Sequence, residues 1–166
     1  MQSRLVVAIL LAGLSSFPAD TSRSMRERYG QPISDPRGQP GSEAYLVSPG
    51  IVASARFGKS EHVCYVLVRP AEPTYPLNSR RNSISSRQMG EILDELVPLS
   101  QRGKQGITDL LDVHCANTDS VCSGVILDYE RLAVHRNGGG GSEQYATIRW
   151  KRAECDFQAF PHPDAP

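Results

Sequence analysis

SGVILDYERLAVHRNGGGGSEQYATIRWKRAEC, residues 123–155, decides the fold. Val125, Leu127 and Tyr129 share one parity, whereas Leu132 and Val134 take the other. Alternation at a period of two is the mark of a half-buried strand. The phase slip at Glu130 and Arg131 predicts a bulge or break in one long strand. Gly138 to Gly141 form a hairpin tip. A phosphate-binding loop would need a helix after the glycines, and here a strand follows. Ala146, Ile148 and Trp150 then alternate with Tyr145, Thr147, Arg149 and Lys151, which predicts an amphipathic strand with one wet face.

Upstream stands one clear helix. Ser85 can cap it, with Gln88 three positions on completing a capping box. Met89, Ile92, Leu93, Leu96 and Val97 make a single apolar stripe, and Pro98 ends it. Before the helix, residues 70–82 are punctuated by proline. HVCYVLV, residues 62–68, is rich in β-formers and nearly continuously apolar, as a central strand is. EAYLV and IVASARF flank Ser48-Pro49-Gly50, a turn signal, and Gly58 turns the chain again before residue 62. The order reads β-β-α-β-β. It predicts an α+β domain over residues 43–156, an antiparallel sheet of about four strands with the helix laid across one face.

Residues 20–42 are polar and rich in Pro and Gly, which predicts an extended or disordered lead-in with a short helical turn at Met25 to Tyr29. Residues 157–166 form a loose tail. Residues 1–19 have the layout of a secretory signal peptide: Arg4, an apolar run from Leu5 to Leu14, then small and helix-breaking residues. That run is too short to span a bilayer as a helix, and no later stretch is apolar enough. The expected location is secreted or periplasmic. Lys plus Arg and Asp plus Glu number 18 each. A neutral chain has no long-range field to gather phosphate-rich partners, which argues against nucleic acid.

Export decides the reading of Cys64, Cys115, Cys122 and Cys155. An even count in an oxidising compartment points to disulfides. Counting register from the glycine tip places Cys155 near the start of the strand that carries Cys122. This favours Cys122 with Cys155 and Cys64 with Cys115. The rival is a local Cys115–Cys122 loop that leaves Cys64 to Cys155. The spacings include no C-x-x-C pair, so zinc is weakly signalled.

DVHCANTDSVC, residues 112–122, offers Asp112, His114 and Asp119 as possible metal ligands. Nothing holds them on one helix face, and Asp and Asn form loops for turn reasons alone. No catalytic residue, cofactor or metal is assigned. The function expected is a non-catalytic binding or envelope-associated module with an unidentified protein or envelope component as partner. Tyr145, Arg149 and Lys151 are its candidate contact surface. The alternative is an exported metal-dependent hydrolase using the 112–119 loop.

RYGQP at 28–32, Val-x-Pro-Gly-Ile at 47–51, a Cys64 strand ending in Arg-Pro, Asp128-Tyr-Glu, and Trp150-Lys-Arg before Cys155 carry one further signal. Over residues 28–156 the chain resembles small exported bacterial proteins of uncharacterised function. The resemblance implies export and a compact domain, and assigns no site residue.

Overall fold

The computed structural model describes residues 20–72, 83–114, 121–139 and 142–155. Seven long strands form one antiparallel sheet: β1 (Glu43–Ser48), β2 (Ile51–Phe57), β3 (Val63–Pro70), β5 (Gln105–His114), β6 (Val121–Tyr129), β7 (Leu132–Gly139) and β8 (Ser142–Trp150). Their spatial order is β1-β2-β3-β8-β7-β6-β5, and the two-residue β4 (Ile84–Ser85) pairs with the start of β8. Among the described residues helices are few and short: α1 (Ser22–Tyr29), α2 (Ser86–Leu96) and α3 (Leu99–Arg102). The protein is mostly β. The four-strand α+β arrangement is therefore corrected to a seven-strand sheet carrying small helices.

Residues 43–57 form two strands, β1 and β2, where the β-β-α-β-β order counts one, and two further strands are hidden by local pattern. The slip at Glu130 and Arg131 is neither bulge nor break but the turn between β6 and β7, with Asp128 opposite Ala133. The carbonyls of Lys104 and Arg102 accept from the Glu130 and Arg131 N–H groups at 2.9 and 3.1 Å. A tight turn reverses parity as a bulge does, so the pattern alone does not separate them. The second omission is β5, whose segment Asp109-Leu-Leu-Asp112 lacks clean alternation. β5 is an edge strand paired to β6 alone.

The core rests on one sheet face. Ala55, Val66, Ile148, Val134 and Leu127 lie side by side across five strands. Ile148 is fully buried and Val66 and Val134 nearly so, each worth about 1.5–3 kcal/mol of burial. α2 covers this face with Met89, Ile92, Leu93 and Leu96. Ser85 is the N-cap, as the sequence predicts, and its side chain accepts from Gln88 N at 3.2 Å; this is the half of the expected capping box that forms.

Residues 20–42, expected as an extended or disordered lead-in, carry α1. Its Met25 is fully buried in the same core, and Thr21 and Ser24 form a reciprocal N-terminal cap. Residues 30–42 then strap the other sheet face. Ile33 bridges Ala44. Asp35 accepts from Ser54 Oγ at 2.9 Å and from the Arg69 guanidinium. Arg37 donates to Pro70 O at 2.7 Å and to Ala71 O. Arg69 is buried, and a buried cation needs such a partner. The signal segment expected over residues 1–19, the loose tail expected over residues 157–166 and the tip glycines at 140 and 141 lie outside the described residues.

Candidate functional site

The expected contact residues divide. Tyr145 and Arg149 share the face of β8 turned away from the core, but both are engaged there. Tyr145 Oη accepts from Asn137 Nδ2 at 2.9 Å, and the ring meets His135 edge-on at 6.1 Å. The Arg149 guanidinium lies 5.8 Å from the centroid of the Tyr65 ring. Tyr65 is buried, and that burial pushes its hydroxyl pKa up, against the pull of Arg149. These residues form a packed polar layer rather than an open surface. Lys151 pairs with Asp128 at 2.6 Å and donates to Tyr129 O at 2.7 Å.

The structure pairs Cys64 with Cys155, with Cα atoms 5.2 Å apart. This is the Cys64–Cys155 bond of the rival connectivity, and it replaces the favoured pairing of Cys122 with Cys155 and Cys64 with Cys115. The register set by the glycine tip reaches only the hairpin neighbour of β8. β8 is central and has β3 on its other side, with Tyr65 opposite Arg149. Beyond Trp150 the chain turns, Cys155 N donating to Arg152 O at 3.0 Å, and meets Cys64. Gly58 permits the approach: a Cβ there would sit 2.9 Å from Glu154 Oε2 and 3.1 Å from Cys64 Sγ. Cys122 pairs with Val113 across the β5–β6 hairpin, and Cys115 lies outside the described residues.

Asp112 and His114 sit at the end of β5, opposite Ser123 and Val121. Asp119 lies outside the described residues. Among the described residues no three His, Cys, Asp or Glu side chains gather as a metal site would require.

Beside the disulfide is a trio that the sequence does not suggest, Ser60, His62 and Glu154. Ser60 Oγ lies 3.0 Å from His62 Nδ1, Glu154 Oε1 lies 3.2 Å from the same nitrogen, and Ser60 Oγ also donates to Glu154. A nucleophile relay needs serine at one ring nitrogen and the acid at the other. Here both meet Nδ1, and the serine proton goes to the carboxylate. The trio is a clasp on the turn before β3. The Ser60 hydroxyl chiefly holds the Glu154 carboxyl below its ordinary range; burial opposes it, and Ser60 N–H and His62 add to the lowering.

A cavity of about 430 Å³ opens where α2, α3 and one end of the sheet meet, a size that suits a small ligand. Leu96 and Val97 from the end of α2, with Trp150 from β8, supply its apolar wall. Gln101, Glu130, Arg131, Lys151, Arg152 and Asp20 supply the polar one. Lys151 is held by Asp128, as above. Arg152 faces Asp20 at 3.9 Å, longer than a hydrogen bond. Glu130 Oε2 accepts from Lys104 N at 3.3 Å. Among the described residues the Arg131 guanidinium has no ion-pair or hydrogen-bond partner. Among the described residues no Ser, Thr, Cys or His side chain lines this space.

No family model matches the chain, and no curated protein matches its sequence. One solved structure is similar, a DUF4309 family protein (YjgB) from Bacillus subtilis. It shares 15% identity at a TM-score of 0.41, over 79% of this chain and 78% of that one. At that score the likeness assigns neither family nor role. No helix among the described residues is long and apolar enough to cross a membrane.

The sequence marks part of the cavity only as the Trp150-Lys-Arg run and the slip at Glu130 and Arg131. Nothing local joins these to Leu96, Gln101 and Asp20. Their meeting depends on β6–β7 turning back toward α3.

Proposed function

We propose that this chain is an exported, non-catalytic binding domain that receives its ligand at the cavity beside Trp150. One observation carries the reading: among the described residues, a ligand-sized hollow joins an apolar wall to a guanidinium without an ion-pair partner and holds no nucleophile or histidine base. Acyl transfer needs a nucleophile within reach of a base. The Ser60–His62–Glu154 trio has the wrong nitrogen geometry to supply one elsewhere. Export is supported by the apolar run after Arg4 and by the Cys64–Cys155 bridge, since disulfides persist in oxidising compartments.

Trp150 is the chain's single tryptophan, so its emission reports directly on the cavity. Titration with solubilised cell-envelope fractions should shift that emission saturably and raise the unfolding midpoint, as any ligand of the native state must. Absence of both changes would overturn the binding reading. Ester hydrolysis abolished by Ser60→Ala would overturn the non-catalytic one. For export, the mass of protein from its native host should place the mature N-terminus between Phe17 and Met25, and retention of Met1 would refute it.

A further inference from the structure

We infer that the cavity beside Trp150 takes a small oxyanion, a carboxylate or phosphate ester with an apolar or aromatic body, and that Arg131 is its anion-binding residue. This rests on the binding reading above and names the ligand class.

Among the described residues three cations and two carboxylates line the space, and their engagements are unequal. Lys151 is engaged by Asp128 and Tyr129 O. Glu130 is drawn toward Lys104 N. Asp20 faces Arg152 across 3.9 Å. Arg131 alone of the three cations has no carboxylate opposite it among the described residues. A planar guanidinium recognises carboxylate and phosphate through paired N–H donors, which a point charge does not.

The turn that carries Arg131 is pinned rather than loose. Its two N–H groups are taken by the carbonyls of Lys104 and Arg102. Gly103, at φ +79°, lets the turn pack closely: a Cβ there would stand 2.8 Å from Glu130 Cβ and 3.3 Å from Arg131 Cγ. The aliphatic stem of Arg131 therefore rests on the exit of α3, which lowers the entropy lost when its head is ordered on a ligand. Across the hollow, Trp150, Leu96 and Val97 are each more than nine-tenths buried and offer an apolar wall. Such a wall has no use for a bare ion and suits an anion with a hydrophobic body.

The test uses the full mature chain with phenyl phosphate, benzoate, inorganic phosphate and neutral benzyl alcohol as probes, followed by Trp150 emission and calorimetry. One or both aryl anions should bind with saturation, and more weakly at high salt. Arg131→Gln should weaken that binding at least tenfold, and Arg87→Gln, an exposed arginine on α2, should not change it. Binding by phenyl phosphate alone points to a phosphate ligand, by benzoate alone to a carboxylate. Equal binding of inorganic and phenyl phosphate would overturn the apolar body. Equal binding of benzyl alcohol, or an Arg131→Gln protein that binds like the parent, would overturn the anion assignment. Loss of the envelope-fraction response as well would remove the binding reading with it.

Discussion

Replacing both Cys64 and Cys155 by alanine removes a crosslink between residues 91 positions apart. In the chain-entropy account, a bridge closing a loop of that length restricts the unfolded ensemble by about 4–5 kcal/mol near 25 °C, and measured bridges more often give ~2–4 kcal/mol. Both cysteines are buried. Alanine also removes sulfur from the packed core, so the entropy figure is not the whole loss. Net stabilities of domains are about 5–15 kcal/mol, so the change is a large fraction of the total. The assay is urea unfolding followed by Trp150, whose burial will be lost in the transition. The expected fall is about 3 kcal/mol, with a melting midpoint ~6–12 °C lower for a domain of this size. The two variants in one chain are preferable to reductant, because thiol reagents reach a buried bridge slowly and would also act on any bond at Cys115 or Cys122. A loss below about 1 kcal/mol, with the bridge verified by mass in the parent protein, would refute the reasoning.

Leu93→Asp should abolish the folded state by circular dichroism. Leu93 lies in the buried stripe of α2, and an unpaired buried carboxylate costs several kcal/mol; an unchanged melting curve would refute this. With Cys64 and Cys155 joined, Cys115 and Cys122 are expected to bridge locally across the β5–β6 hairpin. Thiol titration of denatured, unreduced protein should then find no free thiol, and two would contradict it. Acid should destabilise the domain. Burial alone would raise the carboxyl of Asp35, but Arg69, Ser54 and Arg37 N–H more than offset it. Burial likewise opposes, and Arg26, Tyr45 and Ser22 outweigh it, at Glu43. Glu154 is lowered as well. Groups held below their unfolded values contribute stability above about pH 4 and lose it as pH falls through the folded values. The urea midpoint should drop between neutral pH and about pH 3. Asp35→Asn should be less stable at neutral pH and show a flatter dependence, and an unaltered dependence would contradict the role of Asp35.

The readable parts of the fold were those set by neighbours in sequence. The α2 stripe and its Ser85 cap depend on residues three and four apart. β2, β3 and β8 show themselves by apolar content and alternation. What escaped depends on distant groups. Whether Glu130 and Arg131 bulge or turn is decided by carbonyls at 102 and 104. α1 was read as a mere turn in a polar lead-in because Met25 is its one strongly apolar anchor, and only the assembled core shows where that goes. The favoured cysteine pairing fails for the same reason, since Cys64 meets Cys155 across 91 residues of chain. The cavity combines positions from 20 to 152, and no spacing rule reaches that far.

β8 follows every other described strand along the chain, yet it stands between β3 and β7 in space. The earlier strands make two separate meanders, β1-β2-β3 and β5-β6-β7, and only β8 zips them together. During synthesis each meander can form as it emerges, but neither can join the other until the final strand arrives. Closing contacts over such separations is slow relative to local ones. Until then β3 and β7 both present unpaired edges, the state in which sheets recruit foreign strands. The Cys64–Cys155 bond can lock only after that last insertion. It therefore acts as a seal on completed assembly, not as a guide to it, and an oxidant acting early would find Cys64 without its native partner.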